Sequence, residues 1–420
     1  MYFYEFVGFI AACMALNALA IDVMLPALPH LTADFLLKDP NHAQTVIAVY
    51  LAGMGVSQLF YGPLSDCFGR RPVLIGGLLL FSLAGLLSAM TTGFGLLLTA
   101  RFVQGLGAGA PRVIAVSLAR DTYAGRELGR VMSLVMMTFM AVPIIAPSIG
   151  QLILWVAPWR WTFGALVVGG VLVLLWSILR LQESLPLERR RSLSPSAVVG
   201  GYRMTLGSRA AVSYMVALGL VLGAQMGFII SAQRIFAEVF DAGRHFGLLF
   251  ALVASAMAVA AFTNAQLVLQ FGMRRLAIAG LITLIVLNLL HLVVAWHGGE
   301  PLWGFVFIQM GSMAMFGFLG ANLNTLAIEP LGHIAGTASS AIGLFTTVLG
   351  ALLGFAVGQS FDGSVVPLTL AYVVFSSAAL ALVWGADQGE TVENHHTGSL
   401  QTAAIPPDPR SGLSNPWSQV

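Results

Sequence analysis

Long apolar stretches separated by short polar breaks make up almost the whole chain. Twelve of these stretches contain 18 or more mostly apolar residues. A helix of about 20 apolar residues matches the hydrocarbon core of a bilayer, which is ~30 Å thick. The pattern therefore predicts an all-α membrane protein with 12 transmembrane helices. The predicted spans are residues 6–28, 44–62, 73–91, 94–117, 130–154, 159–181, 210–231, 247–269, 275–296, 302–325, 335–359 and 365–385.

The spans fall into two groups of six, separated by a polar segment that contains Arg189, Arg190 and Arg191. A shift of 203 residues places the Phe-Gly-Arg-Arg sequence at 68–71 on the Phe-Gly-Met-Arg sequence at 271–274. Such a repeat indicates two halves related by an axis along the membrane normal. We expect two pseudo-symmetric six-helix bundles, at residues 1–181 and 210–385. A cytoplasmic linker at residues 182–209 joins them, and residues 386–420 form a disordered cytoplasmic tail.

The composition excludes a soluble domain. Hydrophobic residues make up 58% of the chain and charged residues 9%, whereas about 25% of the residues in a soluble domain are charged. The net charge of +2 gives no reason to expect a nucleic-acid partner. The sequence contains no zinc-type spacing, phosphate-binding loop or nucleophile motif, so we expect no catalytic residue, no metal site and no enzyme activity.

The distribution of basic residues predicts the orientation in the membrane. Of the 20 Lys and Arg residues, 14 fall in the loops and span ends that lie on the same side as the N-terminus. Four (Lys38, Arg160, Arg234 and Arg244) fall on the other side, and two lie inside the fourth span. Because positive charge is enriched on the cytoplasmic side, we expect both termini in the cytoplasm.

Two opposite charges interrupt the apolar pattern, Asp22 in the first span and Arg101 in the fourth. At a rise of 1.5 Å per residue, both lie ~10 Å below the outer ends of their spans. A charged residue inside a span is costly and marks an ion or substrate pathway by default. We therefore expect Asp22 and Arg101 to pair, and Asp22 to bind the transported proton. The alternatives are a permanent structural ion pair, or an Arg101 side chain that extends outward to the interface.

Three further side chains are candidates for a substrate cavity. Arg112 follows Pro111 in the fourth span, where it lines the inner mouth or binds a lipid headgroup. Gln225 is the residue onto which the 203-residue shift places Asp22. Met137 has a flexible side chain that suits varied apolar ligands, although methionines in helices are more often packing residues.

The loop after the second span carries a recognisable motif. Residues 62–72 read Gly-Pro-Leu-Ser-Asp-Cys-Phe-Gly-Arg-Arg-Pro, which resembles the loop signature G-x-L-x-D-x-x-G-R-R of the major facilitator superfamily. Gly62 permits a close helix approach, Gly69 permits a tight reversal, and Asp66 can pair with a basic residue to latch the cytoplasmic side. In the second half Leu269 takes the place of Asp66. The alternative is a solvated basic loop that only sets the topology. The expected latch residues are Gly62, Asp66, Gly69, Arg70 and Arg71.

The start of the fourth span carries a second motif. Residues 101–109 read Arg-Phe-Val-Gln-Gly-Leu-Gly-Ala-Gly and are similar to the family's R-x-x-Q-G motif, which includes Gln104 and Gly105. The family associates this motif with proton transfer, so the resemblance implies that role for Arg101.

The fifth span resembles the antiporter motif of drug-exporting members at residues 141–150. Pro143 and Pro147 each remove a backbone donor and bend the helix, and Gly150 allows close packing. The motif departs from the family pattern at Ala146, where a glycine is usual, and at Gln151, which replaces its final glycine. The resemblance supports antiport, and the alternative is a kink without any bearing on coupling.

Further segments narrow the resemblance to the bicyclomycin- and chloramphenicol-resistance (Bcr/CflA) branch of drug:proton antiporters. They are residues 21–29, 159–161, 183–186 and 335–341. The resemblance implies a bacterial inner-membrane exporter of small drug-like compounds whose two bundles rock around a midplane cavity. It would need only the proton-motive force and no cofactor, and we expect it to be a monomer in the bilayer.

Two other functions are compatible with the sequence. A proton-coupled symporter or metabolite exporter would share the fold and the latch. A transporter-like sensor or scaffold would instead use the basic linker and the tail to recruit a cytoplasmic partner.

Overall fold

A computed structural model describes residues 1–190 and 195–402 of the chain. Within these residues the long regular elements are α-helices, and 12 stretches are long and apolar enough to cross a membrane. The predicted all-α fold with 12 transmembrane helices is therefore confirmed. The helices are α1 (Phe3–Asp22), α2 (Leu28–Asp34), α3 (Thr45–Phe68), α4 (Arg70–Met90), α5 (Phe94–Thr122), α6 (Gly125–Val156), α7 (Arg160–Arg180), α8 (Pro195–Gly207), α9 (Arg209–Arg234), α10 (Phe246–Phe271), α11 (Met273–His297), α12 (Leu302–Ile328), α13 (Ala335–Gln359) and α14 (Val366–Thr402).

The first span is interrupted, which the hydrophobic pattern did not predict. Helix α1 ends at Asp22, a short 3₁₀ turn covers Leu25–Ala27, and α2 follows at once. Pro26 has no N–H to donate to the carbonyl four residues earlier, which is that of Asp22, so the helix breaks at this point. The carboxylate is thus placed at a break in the backbone instead of in the middle of a regular helix.

The two bundles show the expected pseudo-symmetry. In the first, α5 packs against α3 and α4, and α4 packs against α7; in the second, α12 packs against α10 and α11, and α11 packs against α14. The bundles meet where α3 contacts α13 and where α6 contacts α10. Because α3 corresponds to α10 and α6 to α13, one pseudo-twofold axis relates the two contacts.

Helices occur in the linker and in the first part of the tail. The linker contains helix α8, whose Gly201 faces Thr337 at the start of α13; Arg191 lies outside the described residues. Helix α14 continues to Thr402, past the predicted start of a disordered tail at residue 386. The first proline beyond that start is Pro406, so nothing in the tail before it removes a backbone donor. Residues 403–420 lie outside the described part.

The topology defines two sides of the molecule. The start of α1, helix α8 and the end of α14 lie on one side, which we call the terminus side. Helix α2 and the connection between α13 and α14 lie on the opposite side, which we call the far side.

Candidate functional site

Asp22 is buried at the break in α1. Its side chain is 4% exposed, and it makes no hydrogen bond or ion pair with any residue that the structure describes. A carboxylate in such a position is costly when ionised and unpaired. A proton is therefore the simplest group that this site can bind.

Arg101 is fully buried and already satisfied by other partners. Its guanidinium donates to the carbonyl oxygens of Ala20, at 2.9 Å, and Val46, at 3.3 Å. It also donates to Oε1 of Gln104 at 2.7 Å and lies 4.3 Å from the centre of the Tyr50 ring. These partners belong to α1, α3 and α5, so one side chain ties three helices together.

The predicted ion pair between Asp22 and Arg101 is not formed. The physical reason is the break in α1, which leaves backbone carbonyls near its end free to accept, and the guanidinium binds one of them instead of the carboxylate. The alternative in which Arg101 extends outward is also excluded, because its side chain is fully buried. Arg101 instead contacts the chain two residues before Asp22.

Glycines bring α3 and α5 into backbone contact around Arg101. A Cβ at Gly105 would overlap the carbonyl oxygen of Tyr50, and a Cβ at Gly53 would overlap that of Phe102. No side chain larger than hydrogen fits at either position while the helices keep this distance. Gly105 therefore has a packing role, which positions Arg101 against α3.

Helix α6 packs against the break in α1 from the other side. It runs without interruption through Pro143 and Pro147, and a Cβ at Gly150 would overlap the carbonyl oxygen of Val23. Ala146, one of the two departures from the family motif, is fully buried in a small cluster with Val23. The break at Asp22 is thus held between Arg101 of α5 and the proline-containing helix α6.

The candidate cavity residues lie on separate helices. Arg112 of α5 is exposed, and Nη1 lies 4.0 Å from the sulfur of Met54. Gln225 of α9 is half-buried and donates to the sulfur of Met257 at 3.2 Å. Met137 of α6 is 63% exposed. The described contacts do not bring these three residues to one another.

The terminus side carries a network of charges around the loop motif. Arg70 forms an ion pair with Asp66 and a second one with Asp121 at the end of α5, where Nε lies 3.0 Å from Oδ2. It also donates to the hydroxyl of Ser65 at 2.6 Å. The expected pairing of Asp66 with a basic residue is therefore present, and Asp121 is an additional acceptor that the sequence did not reveal.

Glu183 caps the start of α4 in this network. Its carboxylate accepts from the backbone N–H groups of Arg70, at 2.8 Å, and Arg71, at 3.2 Å. Gly69 precedes them with a φ of 100°, and a Cβ there would overlap the carboxylate. A negative charge at a helix N-terminus is stabilising. The sequence showed Glu183 only within a family-like segment, because its partner is more than 100 residues away.

The network adjoins the contact between the two bundles. A Cβ at Gly62 would lie 3.5 Å from the hydroxyl oxygen of Ser340 on α13. At the equivalent place in the second half, Leu269 is 87% exposed. Gly272, which aligns with Gly69 in the 203-residue repeat, has a φ of 78°. The charged latch thus belongs to the first bundle.

A second set of polar contacts joins the bundles on the far side. The amide of Asn41 donates to the carbonyl oxygens of Gln359, at 3.3 Å, and Phe361, at 3.2 Å. The side chain of Gln359 donates to the carbonyl oxygen of Asn41. Arg234 donates to the side-chain oxygen of Asn41 and also forms an ion pair with Glu238. No motif in the sequence pointed to this cluster, which links the two bundles on the far side.

Comparison with known proteins supports a transporter. The family model of the Major Facilitator Superfamily matches residues 10–355. The chain is 31% identical over 351 residues to the uncharacterized MFS-type transporter YdgK of Bacillus subtilis (strain 168), covering 82% of this chain and 86% of that protein. It is also 31% identical over 337 residues to the multidrug resistance protein MdtL of Escherichia coli (strain K12 / DH10B), covering 79% and 83%.

Solved structures share the fold at low sequence identity. A crystal structure of a D-xylose–proton symporter matches with a TM-score of 0.73 and 16% identity, covering 91% of this chain and 98% of that one. The human organic anion transporter MFSD10 matches with a TM-score of 0.65 and 17% identity, covering 91% and 99%. These similarities establish the architecture alone.

Proposed function

Because the chain belongs to the Major Facilitator Superfamily, and is therefore a transporter and not an enzyme, we propose that it exports small amphipathic compounds in exchange for protons. The compounds include drugs, as the name of the relative MdtL suggests. The motifs favour the Bcr/CflA branch. The proton-motive force would be the only energy source, and no cofactor is required.

The observation that carries the proposal is the unpaired carboxylate of Asp22. It is buried, it lies at a break in a transmembrane helix, and it makes no ion pair within the described part of the chain. In an apolar environment the neutral form of such a group is favoured, and ionisation requires access to water or to a counter-charge. A change of access during the transport cycle would therefore load and release one proton.

The packing around the break offers a route from protonation to movement. Arg101 holds the carbonyl of Ala20, and α6 touches the carbonyl of Val23 through Gly150. Helix α6 in turn contacts α10 of the other bundle, where a Cβ at Gly247 would lie 2.9 Å from the Cα of Ser148. A shift of the backbone at the break on protonation would therefore change the packing of α6 against α10, where the two bundles meet.

Alternating access requires one gate on each side. The charge network of Asp66, Arg70 and Glu183 would hold the terminus side, and the Asn41 cluster would hold the far side. The excess of Arg on the terminus side favours a cytoplasmic location for both termini. We place the protein, as a monomer, in a bacterial inner membrane. Export then runs from the terminus side to the far side.

Proton movement driven by substrate tests the proposal directly. Purified protein in proteoliposomes with an imposed pH gradient is exposed to a panel of drugs, and internal pH is followed by a fluorescent dye. We expect wild type to discharge the gradient on addition of a substrate and Asp22→Asn to abolish this response. The matched control is Asp362→Asn, which changes an exposed carboxylate in a far-side loop and should behave as wild type.

The direction of proton movement separates antiport from symport. In an antiporter, substrate and proton move in opposite directions, and each competes with binding of the other. In a symporter they move together, and each promotes binding of the other. Drug transport by Asp22→Asn that stays proton-driven would refute the assigned role of Asp22, and transport by wild type without proton movement would refute antiport itself.

A further inference from the structure

Arg112 occupies an unusual place on α5. It follows Arg101 by 11 residues, which puts the two side chains about 20° apart around the helix and ~16 Å apart along it. They therefore share one face of α5. Other residues on this face, including Ala108, Ala115 and Ala119, are buried against the rest of the bundle.

Although it lies on this inward face, the side chain of Arg112 is exposed. The exposed Thr99, which marks the outer surface of the helix, is about 140° away from it around the axis. Arg112 is therefore exposed to a space inside the molecule and not to the surrounding lipid. Pro111 lies directly before it inside α5 and has no N–H to donate to the preceding turn of the helix.

No carboxylate in the described part of the chain forms an ion pair with this guanidinium. Among the described residues Arg112 makes no ion pair, and its guanidinium makes a weak contact at 4.0 Å to the sulfur of Met54. The hydroxyl of Tyr50 interacts electrostatically with Arg112, and a tyrosine hydroxyl is uncharged at neutral pH. Arg101 differs, because its donors are occupied by three acceptors. Arg112 thus has free donors that face an interior space.

We propose that Arg112 binds an anionic group of the exported compound, a carboxylate or a phosphate. This inference rests on the proposed export function and specifies its substrate class as amphipathic anions. The planar guanidinium offers paired N–H donors that match both groups in a bidentate arrangement. Export of an anion is also favoured by an inside-negative membrane potential.

A matched pair of fluorescent probes tests the inference. 7-Diethylaminocoumarin-3-carboxylic acid is anionic at neutral pH, and the corresponding 3-carboxamide has nearly the same shape without the charge. Binding of each to the purified full-length chain is measured by fluorescence polarisation. We expect wild type to prefer the carboxylate, and Arg112→Met to weaken carboxylate binding about tenfold, the effect of losing a charged hydrogen bond.

Control variants separate charge recognition from loss of structure. Carboxamide binding should change less than about twofold in Arg112→Met, which shows that the variant is folded. Arg112→Lys keeps the charge without the fork and should recover part of the affinity. Arg120→Met removes one charge from the exposed end of the same helix and should leave both probes unaffected.

Several outcomes would overturn the inference. They are a wild type that does not prefer the carboxylate, an equal loss for both probes in Arg112→Met, and an equal effect of Arg120→Met. A lipid headgroup is the other source of the same chemistry, so the titration is repeated with phosphatidylglycerol or phosphatidylcholine added. Displacement of the carboxylate by phosphatidylglycerol alone would assign the site to lipid and refute the proposal.

The result is independent of the proton experiment, because binding is measured without a gradient. Carboxylate binding through Arg112 in a chain that moves no protons would refute the export proposal alone. Proton-coupled export of neutral compounds, with no effect of Arg112→Met, would refute only the anion site.

Discussion

Replacing Arg101 by Lys tests whether this residue holds three helices together or only supplies a positive charge. The guanidinium donates from Nε, Nη1 and Nη2 to acceptors on α3, α5 and α1, at distances of 3.3, 2.7 and 2.9 Å. A Lys ammonium keeps the charge, but its donors radiate from a single nitrogen. It cannot reach three acceptors that are spread around a planar fork.

The structure sets the size of the expected effect. If Lys keeps one hydrogen bond and loses two, at about 1.5 kcal/mol each, the folded state loses about 3 kcal/mol. Domains of 150–250 residues lose about 2–4 °C of melting temperature per kcal/mol, and longer chains lose less, so we expect a decrease of about 3–6 °C. Because Arg101 holds the break next to Asp22, substrate-driven proton movement should also fall.

The assay is thermal unfolding of the purified protein in detergent. Samples are heated to a series of temperatures, and the folded fraction that remains is measured by size-exclusion chromatography. The matched control is Arg244→Lys, the same replacement at an exposed far-side position, which should unfold as wild type does. A change in melting temperature below about 1 °C for Arg101→Lys, or one equal to that of the control, would refute the three-helix role.

Two further predictions concern the packing and the latch. Gly105→Ala places a methyl group against a backbone carbonyl of α3 and should lower the melting temperature by several degrees in the same assay, whereas Gly95→Ala, which has no neighbour within 4 Å, should not. Glu183→Gln removes the negative charge that caps α4 and should loosen the terminus side, so that the half-buried thiol of Cys67 reacts severalfold faster with a maleimide. The exposed Glu188→Gln serves as the control, and an unchanged labelling rate for Glu183→Gln would contradict the cap's role in closing that side.

The functional motifs differ in how far a local sequence could predict their role. The role of the loop at residues 62–72 can be predicted from local sequence. The chain reversal at Gly69 and the ion pair between Asp66 and Arg70 both involve residues that are close together in the chain. Two of the loop's acceptors lie far away in the sequence, Asp121 at the end of α5 and Glu183 in the segment after α7, so the local motif does not reveal them.

The break at Asp22 was likewise present in the sequence as Pro26. The missing donor of a proline acts locally, and its consequence four residues earlier follows from helix geometry. Asp22 and Arg101 lie at similar depths in their spans, and Arg101 contacts the carbonyl of Ala20, two residues before Asp22. Which group accepts the guanidinium's hydrogen bonds depends on three helices and was predicted wrongly.

The sequence by itself determined the number of spans, the division into two halves and the polar residues that lie within the spans. Because the hydrocarbon core offers no water to bind backbone N–H and C=O groups, a single long apolar segment that spans the membrane forms a helix, which satisfies these groups internally. The tertiary structure alone decided which helix faces meet. Lipid-facing and buried faces of a span are both apolar, so their sequences carry little signal for orientation. The partners of Arg101, the exposure of Arg112 and the far-side cluster at Asn41 therefore became visible only in the assembled bundle.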